Sequence, residues 1–314
     1  TNNTASGYRS AITGGGSHVA SGTYSKVGGG QNNTANNTWT TVAGGLINTA
    51  SGYISFVGGG DCNCATNDRS TVAGGNNNKA TGVRSFVGAG ISNTASGNFS
   101  TVSGGGSNTA SGVQATVGGG ASNAATGNCS TIGGGDSNVS SGTRSNVNGG
   151  YSHTASNNYS VVGGGYASVS DGYASTVSGG YRNCVNGQQA TVGGGICNFI
   201  CCSADRACVA GATIGGGAGN NTSGGTFGTS VFSVAPTTFY AAGRFSTIGG
   251  GFQNRATGNS STVAGGCLNI VTGACSTISG GYNNIASAAR SFLGGGGANK
   301  VCGQGLHVIG GGYN

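Results

Sequence analysis

The chain has no Glu and no Met, one Pro, one Trp, and only 5 acidic residues among its 314. The five are Asp61, Asp68, Asp136, Asp171 and Asp205, scattered along the chain. Paired carboxylates for acid–base catalysis therefore have almost no material to draw on. A single Pro excludes collagen, which needs abundant Pro beside Gly at every third residue. Basic residues number only 12 and form no cluster, so the net charge of +7 points to no nucleic-acid partner. No apolar run approaches the ~18 residues of a membrane span, and no signal-peptide pattern opens the chain. Lack of Met implies a processed chain or a piece of a longer one.

What is plentiful is Gly, at 71 residues. Each Gly inside a helix costs about 1 kcal/mol, so a helix-rich domain is excluded. Disorder is excluded as well, because charge is scarce and β-branched residues recur. The composition leaves a repetitive β structure with Gly at its corners.

The repeat is 15 residues long and keeps unbroken register over 1–195. It reads as in LINTASGYISFVGGG (46–60) and ISNTASGNFSTVSGG (91–105). Irregular units follow over 196–217 and 218–251, then regular ones from 252 to 312, the last one residue longer. Tyr313 and Asn314 begin a further unit, which implies a chain that continues. No linker or second domain is visible. Numbering each unit from one, column fifteen is always Gly and column fourteen is Gly except at Ala89. Column twelve holds Val, Ile or Leu, column ten a small residue, and column five mostly Ala. Column seven is mostly Gly, with Asn37, Asn67 and Asn157 as substitutes. Asn tolerates positive φ better than other non-Gly residues, so this column is expected to be a left-handed corner.

The pattern predicts two short strands per unit, over positions 3–6 and 9–13, with columns five, ten and twelve inside and nine and eleven outside. Fifteen residues cannot hold a helical crossover, so successive strands must stack in parallel as a solenoid. The expected fold is an all-β parallel β-solenoid or β-roll over 1–314. At about 4.8 Å per coil, nineteen coils give a length of roughly 90 Å. Each coil offers its core little more than one Val or Ile and one Ala. Burying that Val contributes about 2 kcal/mol, while ordering the coil costs ~15 kcal/mol of backbone entropy or more. Burial on further faces is needed, and a homo-oligomer is expected.

The motifs STVSGGGSNTASG (100–112) and STIGGGDSNVSSG (130–142) resemble the head repeats of trimeric autotransporter adhesins, the YadA-like family. The resemblance covers almost the whole chain apart from the two long units. It implies a left-handed parallel β-roll, three chains side by side, and display on a bacterial surface for attachment. The sequence departs from the family in its heavier Gly triplets and its 11 Cys, and it carries no stalk or anchor. Virus and phage fibres are compatible with the same roll.

Few residues are placed for chemistry. Column three is Asn almost throughout, including Asn48, Asn63, Asn78, Asn93, Asn108, Asn123 and Asn138. This reads as a structural ladder joining side-chain amides from coil to coil. His18 and His153 stand in the same column and read as structural substitutes, while His307 has no visible partner. The Gly triplets are followed by neither Lys-Ser/Thr nor a helix, so they are not phosphate loops. A calcium-binding solenoid needs Asp in every repeat, which is missing. No catalytic residue, cofactor or metal is expected.

Cys184, Cys197, Cys201, Cys202 and Cys208 crowd around the 22-residue unit. Disulfides that staple this coil are the leading reading and fit an extracellular setting. A zinc site is the rival, disfavoured by the lack of C-x2-C spacing. Cys62 and Cys64 are expected to share one face of a strand.

Column nine gathers Arg9, Arg69, Arg84 and Arg144 with Tyr24, Trp39, Phe99 and Tyr159. Arg stacked beside aromatics can make cation–π contacts along the surface. The column reads as an inter-chain seam or as a receptor or glycan surface. Column one carries Tyr151, Tyr166 and Tyr181 on consecutive coils, a stack more structural than binding. The 34-residue unit inserts a loop with Phe232, Phe239 and Tyr240, a candidate recognition tip or cap. Sequons at Asn98, Asn128, Asn138, Asn158 and Asn259 matter only in a secretory host.

The expected function is a non-enzymatic fibre or adhesin segment on a cell or virion surface, giving multivalent attachment. One alternative is a filament or virion shell component that binds only itself. Another is an ice-binding solenoid, since Thr101, Thr116 and Thr131 fall on adjacent coils.

Overall fold

The computed structural model describes residues 2–201, 209–222 and 243–313. Cys202, Cys208, Phe232, Phe239 and Tyr240, and with them the proposed recognition tip, lie outside the described residues. The chain forms two compact units, Thr1–Gly150 and Tyr151–Asn314. Each is an all-β parallel solenoid, about 19 turns in all, with no α-helix among the described residues. None of the described residues forms a helix long and apolar enough to cross a membrane.

In the first unit, two strands recur in every coil, and each is only two residues long. Columns four and five form one ladder, as in Thr34–Ala35 paired with Thr49–Ala50. Columns eleven and twelve form the other, as in Thr41–Val42 paired with Phe56–Val57. Column one adds a third line of contact through single bridges, such as Gln31 to Leu46 to Asp61. Register advances by one repeat at every step, so like residues stack on like.

The extended stretches are shorter than the sequence pattern predicts, because columns two and nine adopt left-handed φ. Asn32 sits at φ 55°, Trp39 at 60°, Ile47 at 56° and Ile54 at 57°. Non-Gly residues pay about 1–2 kcal/mol for that conformation. The compensation is visible in the hydrogen bonds. Most backbone N–H groups donate forward to the next coil, as Thr34 does to Asn48 at 2.8 Å. The left-handed residues donate backward instead: Asn32 to Gly16 at 3.0 Å and Trp39 to Thr23 at 2.9 Å. Each coil is thereby tied to both neighbours without a helix.

Column seven is not the left-handed corner that the Asn substitutions implied. Neither Gly22 nor Asn37 has positive φ. Gly is favoured there by proximity, since a Cβ on Gly22 would lie 1.9 Å from the Asn37 carbonyl oxygen of the next coil. Asn is accepted because its amide turns that closeness into bonds. Asn37 Nδ2 donates to the Ser51 carbonyl at 2.9 Å, and its Oδ1 accepts the Thr38 N–H at 2.7 Å. The third left-handed corner is column fifteen, where Gly75 has φ 91°.

The core is a narrow channel of stacked columns. Ala35, Thr40, Val42 and Asn48 are fully buried, and the pattern repeats from coil to coil. Within the second unit, the buried column-twelve residues include Val177, Val192, Ile214, Ile248 and Ile278. A separate small apolar cluster there contains Cys197, Phe199 and Cys201, with Tyr181 and Cys184 packed against it.

Candidate functional site: the interior ladder and the outward columns

The buried polar column does structural work. Asn78 Nδ2 donates to the carbonyls of Gly74 at 2.9 Å and Gly90 at 2.8 Å. Its Oδ1 accepts the backbone N–H of Asn93 at 2.9 Å. Asn48, Asn63, Asn93, Asn108, Asn123 and Asn138 each donate to two Gly or Ala carbonyls in the same way. The link from coil to coil thus runs from amide to backbone, rather than mainly from amide to amide as the sequence reading had it. Direct amide contact is an addition at a few steps, such as Asn123 to Asn108 at 3.1 Å. The amide supplies a donor to the column-fourteen carbonyl and a second donor to the column-fifteen carbonyl, which already accepts a column-one N–H.

His18 takes the same place, accepting the Asn33 N–H on Nδ1 at 3.1 Å. His153 does likewise for Ser168 at 3.1 Å. His18 Nε2, however, is buried and makes no hydrogen bond. His18→Asn is expected to restore two buried donations to Gly carbonyls and raise stability by about 1 kcal/mol. Urea unfolding of the two proteins checks this; an unchanged midpoint rejects the assigned role of Nδ2.

The outward columns are of a different character. Arg9, Trp39, Arg69, Arg84, Phe99, Arg144 and Tyr159 are exposed, and Tyr24 is half-buried. The first coils carry a connected run. Arg9 lies 5.2 Å from the Tyr8 ring and 5.7 Å from the Tyr24 ring, and Nη1 donates to the Tyr24 hydroxyl at 3.4 Å. Tyr24 stacks on Trp39 with centroids 4.2 Å apart and planes 7° from parallel. Arg84 sits 5.3 Å from the Phe99 ring on the next coil. Tyr159 meets Tyr173 edge to face at 5.6 Å. In column one of the second unit, Tyr151, Tyr166 and Tyr181 stack at 5.1 and 5.0 Å. The coil spacing brings the rings to stacking distance, so local runs of exposed π surface and guanidinium charge form within each unit.

Other outward side chains close backbone bonds. Asn98 Oδ1 accepts the Val83 N–H, Asn128 Oδ1 that of Val113, both at 3.1 Å. Asn98 and Asn128 thus cap the preceding coil from column eight, a role for which the sequence has no local signal. Asp68 caps Tyr53 at 3.3 Å in the same way. Asp61 accepts from Asn76 at 3.2 Å. The file Thr101, Thr116 and Thr131 is in register on adjacent coils and half-buried. It is flanked by Phe99, Gln114 and Cys129 in column nine, which leaves a single line of hydroxyls.

The cysteines fall in different settings. Cys62 occupies a left-handed corner at φ 57°, so it does not share a strand face with Cys64 as the sequence implied. The Cys62 thiol is pushed up by donating to the Asp61 carboxylate, and burial pushes Cys64 up against a smaller opposing pull from Lys79. Burial also pushes Cys197 up, with Arg182 opposing. All three thus hold less thiolate at neutral pH than an ordinary thiol. Cys184 and Cys201 come together, with their sulfurs 2.7 Å apart. No protein-family model matches this chain, and a search of curated proteins finds no match.

Proposed function

We propose that this chain is a non-enzymatic segment of an extracellular fibre, displayed on a cell or virion surface, whose outward columns serve attachment. The observation that carries the reading is the division of labour between columns. The polar groups of column three are buried and bonded within the stack, whereas guanidinium groups and aromatic rings of column nine stand outside at coil spacing. A periodic exposed surface of this kind suits multivalent, individually weak contacts with a receptor or glycan. The YadA-like resemblance supports the same reading, and a parallel β-solenoid of this repeat length fits a β-roll.

Self-association belongs to the proposal. Phe56, Phe86 and Phe292 in column eleven are each about two-fifths exposed. Such residues are expected to be covered in a side-by-side homotrimer. Light scattering is expected to give three times the chain mass, and a stable folded monomer rejects the trimer. For attachment, Arg9→Ala combined with Trp39→Ala is expected to lower retention on a glycan or host-cell array at least tenfold. Equal retention at unchanged thermal stability rejects column nine as the contact surface.

A further inference from the structure

We propose that Cys184 and Cys201 form an oxidation site that closes a disulfide between neighbouring coils of the Tyr151–Asn314 unit. This pairing rests on local geometry and is independent of the attachment reading. Cys184 is the outward residue of the strand Cys184–Val185, which lies parallel to Phe199–Ile200 with Cys184 opposite Phe199. Cys201 lies just past the end of that strand, two positions after Phe199, with its sulfur turned toward Cys184. The two sulfurs meet diagonally at 2.7 Å, closer than unbonded sulfurs ordinarily pack. Only a small displacement separates them from the ~2.05 Å of a disulfide.

The surroundings favour a lasting bond. Cys201 is 5% exposed and packs with Phe199 and Cys197, which are also buried. Cys184 is half-buried and is the more accessible sulfur. The natural oxidant class is a small-molecule disulfide. The Cys184 thiol loses its proton to water, and its thiolate attacks that disulfide. The external S–S bond breaks, a mixed disulfide forms on Cys184, and one small thiolate leaves and takes up a proton. The Cys201 thiol then gives up its proton and attacks the Cys184 sulfur, expelling the second small thiol. Two protein thiols become one cystine, and one external disulfide is reduced to two thiols. The bond would pin Phe199–Ile200 to the preceding coil just where the repeat length first departs from 15 residues.

The test is to oxidise the whole chain in a buffer of oxidised glutathione, digest it without reduction, and map crosslinked peptides by mass spectrometry. The expected result is a Cys184–Cys201 peptide pair that disappears on reduction. Reductant is also expected to lower the melting temperature of the oxidised protein by about 5 °C. Cys184→Ser should abolish both the crosslink and the response to reductant. Should that variant fail to fold, the peptide map of the wild-type chain decides alone. Alkylation of both thiols after oxidation, or a Cys201 linked instead to Cys197, Cys202 or Cys208, overturns the assignment.

Discussion

Gly75→Ala is expected to destabilise the first unit by more than about 4 kcal/mol, at the upper end for a single substitution. Gly75 has φ 91°, and a Cβ there would lie 2.2 Å from the Gly90 carbonyl oxygen and 2.7 Å from the Gly90 nitrogen. It would also crowd Asn78 Nδ2 at 2.5 Å, but the two Gly90 atoms belong to the backbone of the next coil and cannot swing aside as a side chain could. Relief requires the coils to part, which breaks the ladder at that step. Gly74→Ala, one residue earlier, is the control. A Cβ on Gly74 meets nothing within 4 Å. It is expected to change stability by less than about 0.5 kcal/mol, or to add slightly by restricting the unfolded chain. Ala89 already occupies that column in its own coil. Urea unfolding of both variants checks the pair. Equal stability of the two would show that close approach at column fifteen does not hold the stack together.

Asn78→Ala is expected to cost about 4 kcal/mol, without any steric conflict. The substitution strands the Gly74 carbonyl and the buried Asn93 N–H, and it removes one of two donors to the Gly90 carbonyl, which keeps the Asn76 N–H. Each stranded group costs about 1–3 kcal/mol. Asn78→His is expected to lose less. The imidazole Nδ1 keeps the acceptor role, as His18 does for Asn33. In a repeat protein each coil interacts with its neighbours alone, so damage stays local at first. Hydrogen exchange should quicken in the coils flanking position 78 before global unfolding is detectable. Uniform protection in Asn78→Ala would argue against a ladder that carries the stack.

The parallel solenoid, its coil length and its inward columns were legible in the sequence, because identical residues recur at a fixed interval. Val42, Val57 and Val72 can all be buried only if they stack. The cysteine pairing was not legible. Cys184 and Cys201 are separated by a coil boundary, and only the register places them diagonally across adjacent strands. The capping by Asn98 and Asn128 was also hidden, since the N–H groups they accept from belong to the preceding coil.

The corners show the division most plainly. The wealth of Gly settled that the chain turns often. Gly in column fifteen marks a true left-handed corner; the sequence placed a turn there but assigned the left-handed conformation to column seven. Two further corners are held by Arg, Tyr, Trp, Ser and Cys, residues that do not announce positive φ. Their strain is offset by hydrogen bonds directed to the preceding coil, and those partners exist only once the coils are stacked. Column seven tells the converse story, with Gly retained for lack of room. Sequence determines which residues recur, and the tertiary contact between coils decides what each recurrence is for.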